Sequence, residues 1–440
     1  MRPPNSTPNR VAPLALLLAA IWPCSSQAGM KHGQVKRVSD RSSTKQANDD
    51  SYRVSISANG RFMAFNTKAT NLVKGDTNDA NDVFVADRKK GTVERVSVRS
   101  NGKQTKTGFN TDCAISHGGR YVAFASSAKE LVGGDTNNKM DVFVHDRNSG
   151  KTKRVSLHSN GAEGNETSRN PAISKDGRFV AFTSEATSLV DGDSNGTQDV
   201  FLRDRKSKTT RRISVATGGD QANGKSYAPR MSADGRFIVY RSEASNLVSG
   251  DTNAAADIFL HDCKTETTTR VSVSSMGFQA TGGSSVLPDI SADGNRVTFN
   301  STATNLVGGD VNGLDDVFLH DREAGTTARI SVKTGGAEAN GGSTFADISP
   351  DGRFVAFMST ATNLVPGTDD NADWDVFLHD SLTSNTTRIS QSADGVLGDD
   401  FAGHPSVAKM AKFVAFEADA TNLAKGADTN AAADIFIMRR

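Results

Sequence analysis

A ten-residue segment recurs along this chain as ISANGRFMAF, ISHGGRYVAF, ISKDGRFVAF, MSADGRFIVY, ISADGNRVTF, ISPDGRFVAF and VAKMAKFVAF. Its last aromatic falls at Phe65, Phe124, Phe182, Tyr240, Phe299, Phe357 and Phe416, so successive copies lie 58 or 59 residues apart. A fixed period of this size marks a repeat architecture, in which one supersecondary unit buries its faces only by stacking on its neighbours. Seven evenly spaced copies leave no room for a second domain, so residues 29–440 are expected to form a single domain built from repeats of about 58 residues.

Within a copy four strand signals follow one another: a short run ending in Ile-Ser, then FVAF, DVFLHD and TTRVSV, all rich in β-branched or aromatic residues. Asp-Gly between the first two, as at Asp176-Gly177 and Asp351-Gly352, marks a tight hairpin, and Arg322 to Thr326 marks another after the third. FVAF and DVF are apolar on both faces, as a sheet sandwiched between two others must be. The pattern predicts an all-β fold, a seven-bladed β-propeller of four-stranded antiparallel blades. The last copy stops at its third strand signal, Asp434-Ile435-Phe436-Ile437, while Lys36-Arg37-Val38-Ser39 reads as a fourth strand without a blade of its own. Pairing the two closes the ring with the N-terminal strand and removes an open edge.

The first 28 residues read as an export signal: Arg2 and Arg10 are a basic leader, Val11 to Trp22 an apolar run too short to span a bilayer, and Ser26-Gln27-Ala28 a cleavage pattern. Pro23 before Cys24 does not suit a lipoprotein signal. The expected product is periplasmic or secreted, with no membrane span. Fifty-one basic against fifty acidic side chains leave a net charge of +1 and no basic block to track a phosphate backbone, so nucleic acid is not an expected partner. Cys113 and Cys263 occupy different repeat positions two blades apart, which argues against a disulfide.

The (I/M)S-x-DG-x-x-(V/I)-x-F segment followed by D-(V/I)-F-x-x-D resembles the WD-like propeller repeats of the TolB family, over nearly all of the chain after the leader. The resemblance implies periplasmic residence and protein binding. Three departures stand beside it: no N-terminal α/β domain, seven blades where TolB proper has six, and a much longer loop between the second and third strands. The fold carries over; the Tol role does not.

Strands alternate in direction, so the second-to-third-strand loops and the crossovers between blades share one face, where rigid scaffolds commonly place function. Each long loop repeats an Asp-x-Asn-x3-Asp skeleton: Asp76, Asn78, Asp82; Asp135, Asn137, Asp141; Asp193, Asn195, Asp199; Asp251, Asn253, Asp257; Asp310, Asn312, Asp316; Asp369, Asn371, Asp375; Asp428, Asn430, Asp434. Oxygen ligands at loop positions one, three and seven suit a hard cation such as Ca²⁺, held weakly because carbonyls and water must complete the shell. The same residues also suit hydrogen-bond stapling, in which Asp and Asn side chains bond nearby backbone amides. Asp87, at the twelfth position counted from Asp76 as the first, lies at the far end of an extended strand and is no ligand.

His145, His261, His320 and His379 share one repeat position on different blades; being about 10 Å or more apart they cannot converge on a metal, and structural packing near the hairpin is expected. Four Phe residues outside the strand motifs, Phe109, Phe278, Phe345 and Phe401, lie in the crossovers with Tyr52 and Tyr227, either lining the channel mouth as stacking surfaces or plugging the core. With His404 they are the candidate ligand-binding residues. No convergent nucleophile and base set is present, which favours a non-enzymatic exported binding scaffold, monomeric, gripping a protein or glycan by the long-loop face. The rival is a propeller polysaccharide lyase or hydrolase using His404, His158, Tyr52 or Tyr227; a His and a Tyr within hydrogen-bond reach at the channel mouth would mark it.

Overall fold

The first blade is a sheet of four antiparallel strands, Ser51–Ile56, Phe62–Thr67, Asp82–Asp87 and Thr92–Arg95, each paired with the next. The computed structural model describes residues 30–42, 45–367, 371, 373–426 and 428–440; the expected leader lies outside them. Five further sheets of the same order follow, ending with Ser343–Ile348, Phe354–Ser359, Asp375–Asp380 and Asn385–Arg388. The seventh takes Ala402–Val407, Phe413–Ala418 and Asp434–Arg439 from the end of the chain and Val35–Arg37 from its beginning. Val35 lies opposite Met438 and Arg37 opposite Phe436, so the ring is closed by the N-terminal strand. The strand is set one residue earlier than the sequence predicts: Val38 still donates its N–H to the Ile435 carbonyl (2.7 Å), but Ser39 turns away to bond Asp434.

Between the strands of each blade the second-strand aromatic stacks on the third-strand Phe, as in Phe65 on Phe84 (centroids 6.2 Å apart) and Phe416 on Phe436 (5.9 Å). These rings are fully or almost fully buried. Each supplies roughly 1.5–3 kcal/mol of transfer free energy, which is why the motif repeats in every blade.

On the short-hairpin face an arginine clasp joins neighbouring blades. Arg61 grips Asp87 bidentately (Nε to Oδ1 2.9 Å, Nη2 to Oδ2 2.7 Å), which fixes the role of the twelfth-position acid. Phe62 is covered on one side by Arg61 (4.7 Å) and on the other by Arg147 of the next blade (4.3 Å). The same ring packs on Gly119, whose φ is +76° and where an added Cβ would lie 2.1 Å from Phe62 Cδ2. Left-handed backbone and close approach both require glycine. Gly119→Ala is therefore expected to cost about 2 kcal/mol or more in denaturant unfolding, against less than about 0.5 kcal/mol for an exposed surface change.

Candidate functional site at the channel mouth

The long loops end on the third strand, whose first residue is the last Asp of the repeated skeleton. That Asp is buried in every blade and accepts a hydrogen bond from the serine that follows the fourth strand, as Ser97 to Asp82, Ser156 to Asp141 and Ser39 to Asp434. The loop Asn bonds the same carboxylate and a crossover carbonyl: Asn195 Nδ2 reaches Asp199 Oδ2 at 2.9 Å and the Ala222 carbonyl at 3.0 Å. Between the two acids stands the arginine that ends the fourth strand. Arg95 Nη1 lies 2.8 Å from Asp76 and 3.1 Å from Asp82. Arg212 serves Asp193 and Asp199, Arg270 serves Asp251 and Asp257, Arg37 serves Asp428 and Asp434, and Arg388 serves Asp375. The cation at the centre of each loop is thus supplied by the chain. Asp369 lies outside the described residues; Asn371 bonds the Gly398 carbonyl (3.0 Å).

Two loops hold a third carboxylate where four others have glutamine and one has leucine. Asp135, Asp141 and Glu163, and likewise Asp310, Asp316 and Glu338, bring ligand oxygens within 4.8 Å of one another and so could hold a metal. Each already surrounds a guanidinium: Arg154 Nη1 is 2.6 Å from Glu163 and 2.9 Å from Asp141, and Arg329 Nη1 is 2.5 Å from Glu338. A metal there has to displace it.

Burial pushes the Asp199 carboxyl up to about 6, against the opposing pull of Ser214, Asn195 and Arg212. Because this lies above the ordinary 3.8, the folded chain holds the proton more tightly, and the contribution of Asp199 is favourable at low pH and lost as pH rises through about 6. Relative to Asp199→Asn, the wild type is expected to gain about 1–2 kcal/mol between pH 7.5 and pH 5 in paired denaturant titrations.

The central channel holds a cavity of about 530 Å³, walled by the innermost strands. Each inner strand carries a bulge, and its third residue has positive φ: Arg53 (55°), Asp112 (48°), Asn170 (50°), Ala228 (54°), Leu287 (50°), Phe345 (52°) and His404 (45°). All seven line the cavity, and none is glycine. Going round the ring, one arc is polar, His404, Arg53, Asp112 and Asn170, and the other apolar, Ala228, Leu287 and Phe345. Two residues further along the strand, and deeper in the channel, stand Ser55, Arg230, Asp289, Asp347 and Ser406. Ser55, Asp289, Asp347 and Ser406 accept backbone N–H bonds from the neighbouring blade, as Asp347 does from Val407 (2.7 Å).

Of the residues expected at the mouth, Phe345 and His404 are brought together there, ring centroids 4.3 Å apart and nearly perpendicular, with Phe401 6.3 Å from His404. His404 Nδ1 is hydrogen-bonded to Glu417, whose other oxygen accepts the Arg53 N–H (2.7 Å). Phe109 and Tyr52 stand next to the bulge, outside the cavity lining, and Tyr227 lies under Arg241 (4.8 Å) with its hydroxyl donating to Glu243. Phe278 and His158 sit on crossover hairpins, Phe278 closing a turn with Ser274 and His158 3.7 Å from Asp191. The four repeated histidines are buried; in each, Nδ1 meets a threonine hydroxyl at 2.9 Å that itself donates to a neighbouring carbonyl, as Thr152 does to Val98. That hydroxyl proton being committed, Nδ1 is the donor, and burial holds each ring below the ordinary histidine range, which favours its neutral form. Cys113 and Cys263 are free thiols pushed up to about 12 by burial.

Sequence reasoning missed Arg53, Asp112, Asn170, Ala228, Leu287, Asp289, Asp347 and Glu417. Their signal is inverse to the repeat: the bulge position reads R, D, N, A, L, F, H, while the ends of the same strand hardly change, Ser opening it in five copies and Ile closing it in five. The arginine ending the fourth strand carried the opposite signal, being the same in every copy.

The fold and the channel define a ring-closed seven-bladed propeller with an asymmetric mouth. Among solved structures it is similar to an oligogalacturonate lyase in complex with manganese (12% identity, 92% of each chain, TM-score 0.55). It is similar also to the propeller domain of the Trilobed protease from Pyrococcus furiosus (12%, 89% of this chain and 95% of that one, 0.53). TolB from Acinetobacter baumannii aligns more loosely, at 12% identity and TM-score 0.41, and the match spans 77% of this chain and 63% of that one. At such identities the likeness is one of fold. No protein-family profile and no curated protein matches the chain in sequence.

Proposed function

We propose that the chain is an exported, non-enzymatic binding scaffold that engages a protein or glycan through the channel mouth on its long-loop face. One observation carries this reading. A left-handed backbone costs a non-glycine residue about 1–2 kcal/mol, yet seven side chains of different chemistry occupy that conformation around one cavity. Glycine would relieve the strain in every blade; strain kept where side chains meet a cavity points to recognition. No helix among the described residues is long and apolar enough to cross a membrane.

The long loops serve this scaffold as ion-paired struts, and calcium, if it acts, acts at the two three-carboxylate loops. The rival lyase or hydrolase reading has the His404–Glu417 pair to draw on, which orients one imidazole, but among the described residues no tyrosine hydroxyl bonds a histidine.

The test is capture of a partner from periplasmic extract by the wild type and by Asn170→Trp, which plugs the mouth, with and without calcium. The expected result is one partner lost on plugging in either condition. Capture undiminished by the plug overturns the reading, and so does turnover of oligogalacturonate by the wild type with manganese.

A further inference from the structure

Blades five and six present the same arrangement to the channel. Leu287 and Phe345 stand at the mouth, and Asp289 and Asp347 lie two residues deeper on the same strands. The wall is therefore apolar above and acidic below. Phe345 is 38% exposed although large and apolar, so it offers a ring face or edge to an incoming group.

The carboxylates at the channel each face a basic side chain, with one exception. Arg53 pairs with Asp112, His404 with Glu417, and Arg230 Nε comes within 4.0 Å of Asp289. Among the described residues no cationic side chain lies within ion-pair distance of Asp347. Its Oδ1 accepts the Val407 N–H, and its Oδ2 has only the Ser406 hydroxyl at 3.5 Å. Burial and the neighbouring Asp289 disfavour its charge, and the Val407 N–H and the more distant Arg230, which faces Asp289, offset them only in part. A carboxylate in a half-closed cavity without its own cation either holds a proton or gains from a ligand that brings a positive charge to it.

Resting on the binding-scaffold reading, we propose that the channel takes the lysine or arginine side chain of a protein partner, its aliphatic stem along Leu287 and Phe345 and its charged head at Asp347. The match is one of apolar lining as well as charge. Long basic side chains bury methylenes against apolar surface and keep the head in a polar environment, and an aromatic face adds attraction for the cation. A neutral glycan supplies no such head, so the proposal commits to protein.

The probe is a fluorescein-labelled peptide Gly-Leu-Lys-Leu-Gly, with a control in which norleucine replaces lysine, followed by anisotropy on the full-length protein. The lysine peptide is expected to bind at least about tenfold more tightly, and Asp347→Asn to remove about that factor while leaving the norleucine peptide unchanged. Asn keeps the acceptor for the Val407 N–H, and a matching melting temperature confirms that the variant is folded. Phe345→Ala is expected to weaken both peptides. Equal affinity for the two peptides, or a lysine preference that survives in Asp347→Asn, overturns the proposal. Extract capture separates this from the parent reading: a partner displaced by Asn170→Trp but indifferent to Asp347→Asn sinks the lysine assignment alone, whereas a partner indifferent to both sinks the scaffold reading as well.

Discussion

Deleting residues 29–40 is expected to lower the unfolding free energy by about 5 kcal/mol or more, the largest effect of any change proposed for this chain. Three losses coincide there. The strand Val35–Arg37 leaves Asp434–Arg439 with an unpaired edge. Arg37, 3.0 Å from Asp434 and 3.4 Å from Asp428, takes away the cation of the seventh loop, and Ser39 the hydroxyl on the same buried carboxylate. Burial already pushes Asp434 up to about 6, so stripping its partners leaves a buried charge that must protonate or unfold its surroundings. Denaturant titration of the truncated chain measures the loss, and the free edge is expected to show as concentration-dependent association. An unchanged midpoint would mean that the ring is not held by this strand.

Arg154→Met comes second, with an expected cost of about 3–5 kcal/mol, because it strands Asp135, Asp141 and Glu163 around an empty centre. The variant also separates the two readings of the loops. With the guanidinium in place calcium competes against a cation tethered at no entropic cost, so the wild type is expected to melt alike in calcium and in magnesium at matched ionic strength. With the guanidinium gone the three carboxylates offer a hard-cation site, and millimolar calcium is expected to restore part of the lost stability by mass action. A calcium-dependent rise in the wild type, lost in Asp193→Asn plus Asp199→Asn, would instead make the loops metal sites in their own right.

The blade plan was legible because it depends on local chemistry that recurs along the chain: strands apolar on both faces, tight turns that read Asp-Gly in four of seven copies, and an aromatic in each second and third strand. Ring closure was legible because a fourth-strand signal stood unattached at Lys36–Ser39. The chemistry of the loops was only half legible. Asp, Asn and Asp are adjacent in sequence and suggest ligands, but their counter-ion comes from the fourth strand, 13 residues beyond the last Asp in Arg95 against Asp82. Strand pairing is what brings it back, as Phe84 opposite Arg95 shows. The channel was least legible, since a bulge is a backbone event without a residue signature when Leu287 and Phe345 adopt it as readily as Asn170. Phe345 and His404 were singled out for being irregular, and both line the channel; Phe278 was irregular too, and lies on a crossover hairpin.

Site-specific photocrosslinking in the cells that make the protein tests the central claim most directly. A photoreactive phenylalanine analogue replaces Leu287 at the channel mouth or Leu382 at a tip on the opposite, short-hairpin face, where the native side chain is 73% exposed. A discrete adduct is expected from position 287 and none from position 382. Adducts of equal yield from both faces, or from 382 alone, would contradict a partner held at the channel mouth.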